Sequence, residues 1–337
     1  MGEPNRSALR RAILGLAAAA WVAIAGAASA VAQGPAKDLL NAVVGVNAEI
    51  PAQARTAPLL GTKRSGSGVV IDGSGLVLTI GYLIVEASSV TVTDNNGTTV
   101  PAQIVAYDHQ TGLGLLRALR PLESPPMAFG RSDDLKELNP VMVVGRDAGE
   151  LIVPARVSAR REFAGSWEYL MDNAIFTVPA HPYHSGAALI GPDGKLLGIG
   201  SLIITQSIPG VGVVPGNMFV PIDVLKPILA DLIAEGHQRG PHQPWLGLSP
   251  EEVRGKLFVT RVSPEGPAEK AGIKEGDIIV GVGGAPVDSM AGLFRKVWSL
   301  GPAGTDVPLD VIQGSDVRRI VVHSIDRYSW LRLDLTH

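Results

Sequence analysis

Cysteine is absent from all 337 residues. That excludes disulfides, zinc–thiolate sites and a reactive thiol, and leaves the fold to a conventional apolar core. A basic excess is missing too: 29 Lys and Arg stand against 32 Asp and Glu, for a formal net charge of −3. Nucleic-acid binding needs a positive field to neutralise phosphates, so no nucleic-acid partner is expected. The histidines (His109, His181, His184, His237, His242, His323 and His337) have no ligand-like spacing. No metal or other cofactor is expected. Apolar residues are not scarce either: 46% of the chain is hydrophobic and 18% charged, which argues against disorder. The length suffices for two compact domains.

The N-terminus has its own signature. Arg6, Arg10 and Arg11 precede an unbroken Ala-rich apolar run from Ala12 to Ala28. Small-x-small cleavage sites follow at Ala28-Ser29-Ala30 and Ala30-Val31-Ala32. Residues 1–32 therefore read as an export signal, which makes the mature chain periplasmic or secreted. The run is also long enough to span a bilayer uncleaved, and then it anchors the chain to the membrane.

Residues 33–65 form an N-terminal segment in which Leu39, Leu40, Val43 and Val44 predict a short helix over Ala36 to Ala48. From Gly66 the period changes to short β-branched runs broken by turn residues, the pattern of all-β barrels and sandwiches. Strands are predicted at Val69–Ile71, Leu76–Thr79, Val90–Thr93, Thr98–Val100, Gln103–Ala106, Leu113–Arg117, Val141–Val144, Ile175–Val178, Ala187–Ile190 and Leu196–Ile204. Asp72-Gly73-Ser74-Gly75 and Asp94-Asn95-Asn96-Gly97 supply tight turns. A helix is predicted from Ile222 to Glu235, capped by Gly236. The Pro/Gly-rich stretch 237–244 reads as a linker between a domain at 66–236 and a second at 245–324. Residues 325–337 are a tail whose Leu331, Leu333 and Leu335 suggest an added strand.

Several anchors in order and spacing give the first domain a resemblance. Gly66-Ser67-Gly68-Val69-Val70-Ile71-Asp72, Leu78-Thr79-Ile80-Gly81-Tyr82, the stretch from Ala106 to Leu116, His184-Ser185-Gly186-Ala187-Ala188-Leu189 and Pro192-Asp193-Gly194-Lys195-Leu196-Leu197-Gly198-Ile199 resemble motifs of the HtrA (DegP-like) family of trypsin-fold serine proteases. The resemblance implies an all-β double β-barrel (trypsin-like) followed by a small α+β PDZ domain. It also implies a nucleophile at Ser185, with the base position at Tyr82 and the acid position at Gly112. The oxyanion-hole positions fall at Tyr183 and Ser185.

The departures from the family pattern carry the functional argument. Acyl transfer by serine needs a base within hydrogen-bond reach, a carboxylate that orients it, and backbone donors for the oxyanion. Tyr82 is a phenol with a pKa of about 10, a neutral donor at physiological pH. Gly112 offers no carboxylate. Tyr183 stands where the family has a glycine, a residue free to adopt conformations that a Cβ disfavours. Substitute bases are His184 and His181, and Asp108 and His109 lie near the vacated acid position.

The second domain opens on Trp245-Leu246-Gly247-Leu248, which resembles the PDZ carboxylate-binding loop, whose N–H groups receive a peptide C-terminus. Ser263-Pro264-Glu265-Gly266-Pro267-Ala268-Glu269-Lys270-Ala271-Gly272-Ile273-Lys274-Glu275-Gly276-Asp277 is close to the PDZ consensus and is the most specific motif in the chain. On a helix from Ser289 to Leu300, Leu293 and Val297 are expected in the peptide groove and Phe294 in the core. The expected partners are protein C-termini or unfolded polypeptides, with a homo-oligomer or an active paralogue as further possibilities. Two functions follow: a pseudoprotease that binds polypeptides in envelope quality control, or an ATP-independent serine endopeptidase with a non-standard base.

Overall fold

The computed structural model describes residues 39–333 apart from 148, 209 and 211. The expected export signal and Leu335 lie outside the described residues. Strands β1 (Val43–Glu49), β2 (Lys63–Val70), β3 (Leu76–Ile80), β4 (Ser89–Thr93), β5 (Thr99–Tyr107) and β6 (Leu113–Ala118) close into a barrel in the order β1-β2-β3-β6-β5-β4. A short helix, α1 (Ala57–Leu60), connects β1 to β2. Strands β7 (Pro140–Arg146), β8 (Glu150–Gly165), β9 (Tyr169–Val178), β10 (Ala188–Ile190), β11 (Leu196–Ile208) and β12 (Gly212–Pro221) close a second barrel in the order β10-β11-β12-β9-β8-β7. Closure leaves no unpaired edge. The alternation that predicts strands is visible in β4, where Val90 and Val92 are buried between more exposed Ser89, Thr91 and Thr93. Both predicted turns are built by an aspartate bonding forward to the chain. Asp72 accepts the N–H groups of Ser74 and Leu76, and Asp94 those of Asn96 and Thr98.

Three expectations need correction. The helix predicted over Ala36 to Ala48 gives way to β1 from Val43 onward. Val44, Val46 and Ala48 alternate at period two, and pairing with both β2 and β4 decides between two readings that the short apolar run allows. The helix predicted over Ile222 to Glu235 is broken into a 3-10 turn, Ile222–Val224, and α2 (Leu229–Glu235). Pro227 has no N–H to continue the ladder between them. Gly236 caps α2 in the left-handed region as expected, with its N–H on the Leu232 carbonyl. The tail, in place of a strand, forms a helical turn (below).

The second domain is one sheet, β13 (Leu248–Val253), β14 (Lys256–Val262), β15 (Ile278–Val282), β17 (Asp306–Gln313) and β18 (Asp316–His323), with β16 (Ala285–Pro286) paired to β15. Two helices cover it: α3 (Pro267–Lys270), and α4 (Met290–Ser299), whose N-cap Ser289 accepts the Gly292 N–H. Leu257, Val259, Ile279, Phe294, Leu309 and Val322 fill its core.

The tail turn, α5 (Arg327–Trp330), bridges the two domains. Ile325 pairs with Trp245 of the second domain, while Tyr328 donates its hydroxyl proton to the Tyr107 carbonyl of the first barrel, 2.8 Å away. Glu86 of the first barrel accepts the backbone N–H of Arg332, and also those of Arg55 and Thr56. His109 lies edge-on to the Tyr328 ring, with its Nδ1 buried and unpartnered. Burial, with Arg327 nearby, pushes the His109 pKa from 6.5 down to about 3. The unfolded chain therefore takes up this proton first as pH falls. The stability His109 contributes is present above about 6.5 and is lost toward about 3, at up to about 1.4 kcal/mol per pH unit. Urea unfolding across that window should show a shallower pH dependence in His109→Gln than in the unmodified protein.

Candidate active site and carboxylate cradle

Ser185 occupies a tight turn just before β10. The next residue, Gly186, has φ +74°, and a Cβ there would stand 1.9 Å from the Ser67 carbonyl oxygen. Only glycine fits this turn. The Ser67 N–H donates to the Ser185 carbonyl at 2.8 Å, which fixes the turn against the first barrel.

Tyr82 lies on the 3-10 turn Gly81–Leu83 that follows β3. Its Oη is 2.8 Å from Ser185 Oγ and 2.7 Å from the carbonyl oxygen of Ser201 on β11. A phenol has one proton, and a carbonyl can only accept. Tyr82 therefore donates to Ser201, and the Ser185 hydroxyl donates to Tyr82. Burial pushes the Tyr82 pKa up to about 12, against the opposing hydrogen bond with Ser185. The group facing the serine is thus a neutral phenol with no capacity to take a proton.

Gly112 closes the turn from Asp108, at φ +76°. A Cβ there would meet the ring of Tyr169 at 3.4 Å, and that tyrosine donates its hydroxyl proton to the Thr111 carbonyl. An aromatic ring stands in the direction an acid side chain would take. Asp108 is no replacement. It is buried, and its Oδ2 accepts from Thr111 N, Thr111 Oγ1 and Gln238 Nε2.

The substitute histidines are engaged elsewhere. The Tyr183 N–H donates to His181 Nδ1 at 3.0 Å, so the ring carries its proton on Nε2 and donates it to the Leu151 carbonyl, also at 3.0 Å. His184 Nδ1 bonds the Pro182 carbonyl. Burial lowers the pKa of both, partly opposed by these carbonyl contacts. Among the described residues no side chain other than Tyr82 bonds Ser185 Oγ. The expectation about Tyr183 also changes in its reason. Its φ is not positive, so its side chain imposes no strain there. Its N–H is taken by His181 Nδ1.

In the second domain, Trp245 is buried with its ring 4.8 Å from that of Trp330. The N–H groups of Leu246, Gly247 and Leu248 converge on one carboxylate. Glu168, in the turn between β8 and β9, accepts all three at 2.9, 2.7 and 3.2 Å. Burial pushes its pKa up to about 7, against the pull of those N–H groups. Leu293, Phe294 and Val297 are all buried in one cluster, to which Ala164 and Leu170 of the same hairpin are added. Leu293 and Val297, expected in the groove, are thus as buried as Phe294, expected in the core. The chain's sequence signalled neither this hairpin nor Glu168. Among the described residues no group of three or more His, Asp or Glu is arranged to hold a metal ion.

Two closed barrels with a serine turn at their junction, followed by a helix-covered sheet with an N–H cradle, define a trypsin-like peptidase domain joined to a PDZ domain. Residues 66–199 match the trypsin-like peptidase domain family and residues 244–323 the PDZ domain family. Over 276 residues the chain is 29% identical to a probable periplasmic serine endoprotease, DegP-like, of Halomonas elongata, covering 76% of this chain and 55% of that protein. It is 29% identical over 264 residues to the periplasmic pH-dependent serine endoprotease DegQ of Escherichia coli, covering 74% and 56%. With the serine protease Do-like HtrA of Bacillus subtilis it shares 26% over 315 residues, covering 82% and 69%. The chain spans a little over half the length of the first two. Among solved structures, the HtrA-type protease AlgW with decapeptide superposes with a TM-score of 0.53 at 20% identity, covering 88% of this chain and 98% of that one. A serine endoprotease from Yersinia pestis gives 0.51 at 23%, covering 86% and 96%. In both domains and in their order the chain is similar to HtrA-type serine proteases.

The Tyr82 hydroxyl serves two groups, so its loss should cost more than loss of the serine. Tyr82→Phe leaves both the buried Ser201 carbonyl and the Ser185 hydroxyl unpaired, and should destabilise by about 1–3 kcal/mol in urea unfolding. Ser185→Ala keeps the Tyr82–Ser201 bond and should cost less.

Proposed function

We propose that this chain is an exported pseudoprotease of the HtrA family that binds protein C-termini or unfolded segments through its PDZ domain, as a scaffold, chaperone-like or regulatory protein in envelope quality control. The observation that carries the reading is the place of the Tyr82 hydroxyl, whose oxygen lies 2.8 Å from Ser185 Oγ and 2.7 Å from the Ser201 carbonyl oxygen, where acyl transfer would need a base. Loss of a triad base alone typically lowers turnover about a millionfold. Here the acid position and one oxyanion donor are missing as well. The PDZ family match and the retained N–H cradle support polypeptide binding. The names of relatives, several of them periplasmic serine endoproteases, support a periplasmic location.

A second reading, a working endopeptidase that uses Ser185 with a non-standard base, is favoured by those same names and by retention of the serine itself. The two diverge under a serine-directed fluorophosphonate probe. The pseudoprotease should remain unlabelled and leave an unfolded protein substrate intact, while binding peptides with a free C-terminus more tightly than their amidated forms. Labelling that disappears in Ser185→Ala would overturn the inactive assignment. Equal binding of free and amidated peptides would overturn the carboxylate-loop assignment.

A further inference from the structure

We propose that the β8–β9 hairpin is an internal occupant of the PDZ site: the Glu168 carboxylate takes the place of a peptide's terminal carboxylate, and a polypeptide end binds only when the hairpin withdraws. This rests on the peptide-binding reading given above and adds a regulation to it.

Three consecutive backbone N–H groups that converge on one point make a receptor for an anion with two oxygens. Both oxygens of Glu168 are in it: Oε2 on the Leu246 N–H, and Oε1 on those of Gly247 and Leu248. The carboxylate belongs to the barrel domain, 78 to 80 residues away in sequence. It is not part of the loop's own folding. Glu168 is only 6% exposed and has φ +58°, a left-handed conformation uncommon for a residue with a Cβ. A tight hairpin turn that aims its acid into the neighbouring domain accounts for both.

The rest of the hairpin is fitted to the same surface. Arg295 of α4 reaches Glu162 on β8 and Asp172 on β9, so it spans both arms. Ala164 and Leu170 pack against the PDZ core cluster that contains Leu293 and Val297, the residues expected to line a peptide groove. Arg327 of the tail holds the Trp167 carbonyl in the turn. An incoming peptide needs the cradle and α4 together, and the hairpin engages both.

A site filled by its own chain binds an external ligand with an affinity reduced by the fraction of molecules that are open. If the hairpin is docked in about nine of ten molecules or more, removing Glu168 should tighten peptide binding about tenfold or more. The contacts at Arg295 lie at an exposed rim and are screened by solvent, so they should contribute less than Glu168.

The test uses the full mature chain, its Glu168→Ala variant and, in case that variant is unstable, Arg295→Glu, which repels both hairpin arms and leaves the cradle untouched. A mixed-sequence peptide pool with free C-terminal carboxylates, and the same pool amidated, are titrated by fluorescence anisotropy. Hydrogen exchange at the Leu246, Gly247 and Leu248 amides reports docking independently of any peptide. Expected are faster exchange at those amides in both variants and binding of the free-carboxylate pool about tenfold tighter in Glu168→Ala, with a smaller gain in Arg295→Glu. Unchanged exchange and equal affinity in all three proteins would overturn the internal-occupant assignment and leave peptide binding standing. Faster exchange with no peptide bound by any of the three would overturn the peptide-binding reading, and the competition with it.

Discussion

A single hydroxyl proton at the junction of the two barrels organises the Ser185 site. Tyr82 comes from the first barrel, Ser185 and Ser201 from the second, and the phenol oxygen meets both within hydrogen-bond distance. A catalytic relay needs a group at this junction that changes its protonation state during reaction. A buried phenol with a pKa near 12 stays neutral, so the junction becomes a fixed joint. The neighbouring substitutions agree with that role. Tyr169 fills the direction an acid would take from Gly112, and His181 absorbs the Tyr183 N–H that an oxyanion would require. Each is satisfied by a partner within the fold: the Tyr169 hydroxyl by the Thr111 carbonyl, the Tyr183 N–H by His181 Nδ1.

Much of this was legible from residue identity alone. A Tyr and a Gly at the positions that the resemblance gives to the base and the acid are visible in the sequence without any coordinates. Turn residues bounding β-branched runs located most strands of both barrels. The failures have physical causes. Around Val43 and Val44 a short apolar run fits both a helical and a strand period, and only pairing with β2 and β4 decides. Strand β8 carries Pro154 and Arg156, Arg160 and Arg161, and most of its length is only partly buried or exposed, so it lacks the apolar alternation that marks a strand. With β8 unrecognised, its hairpin to β9 was invisible, and so was the aim of Glu168. Contacts between residues some 80 positions apart leave no mark in local pattern.

Glu86 and Glu168 use the same device with different consequences. Both are buried acids at positive φ, of 61° and 58°, and both accept backbone N–H groups from a distant segment of chain. Around Glu86, burial opposes ionisation, but the hydrogen bonds from Thr56, Arg332 and Arg55 outweigh it and hold the pKa below its ordinary value. Glu168 has three backbone N–H donors and the nearby charge of Arg327, and there burial wins. A carboxylate whose partners outweigh its desolvation is held at little cost, whereas one whose desolvation is incompletely offset sits in its receptor at a cost. That asymmetry sets the Glu86 contacts between the tail and the first barrel apart from the Glu168 contacts on the PDZ cradle, and the proposed competition needs only the second set to open.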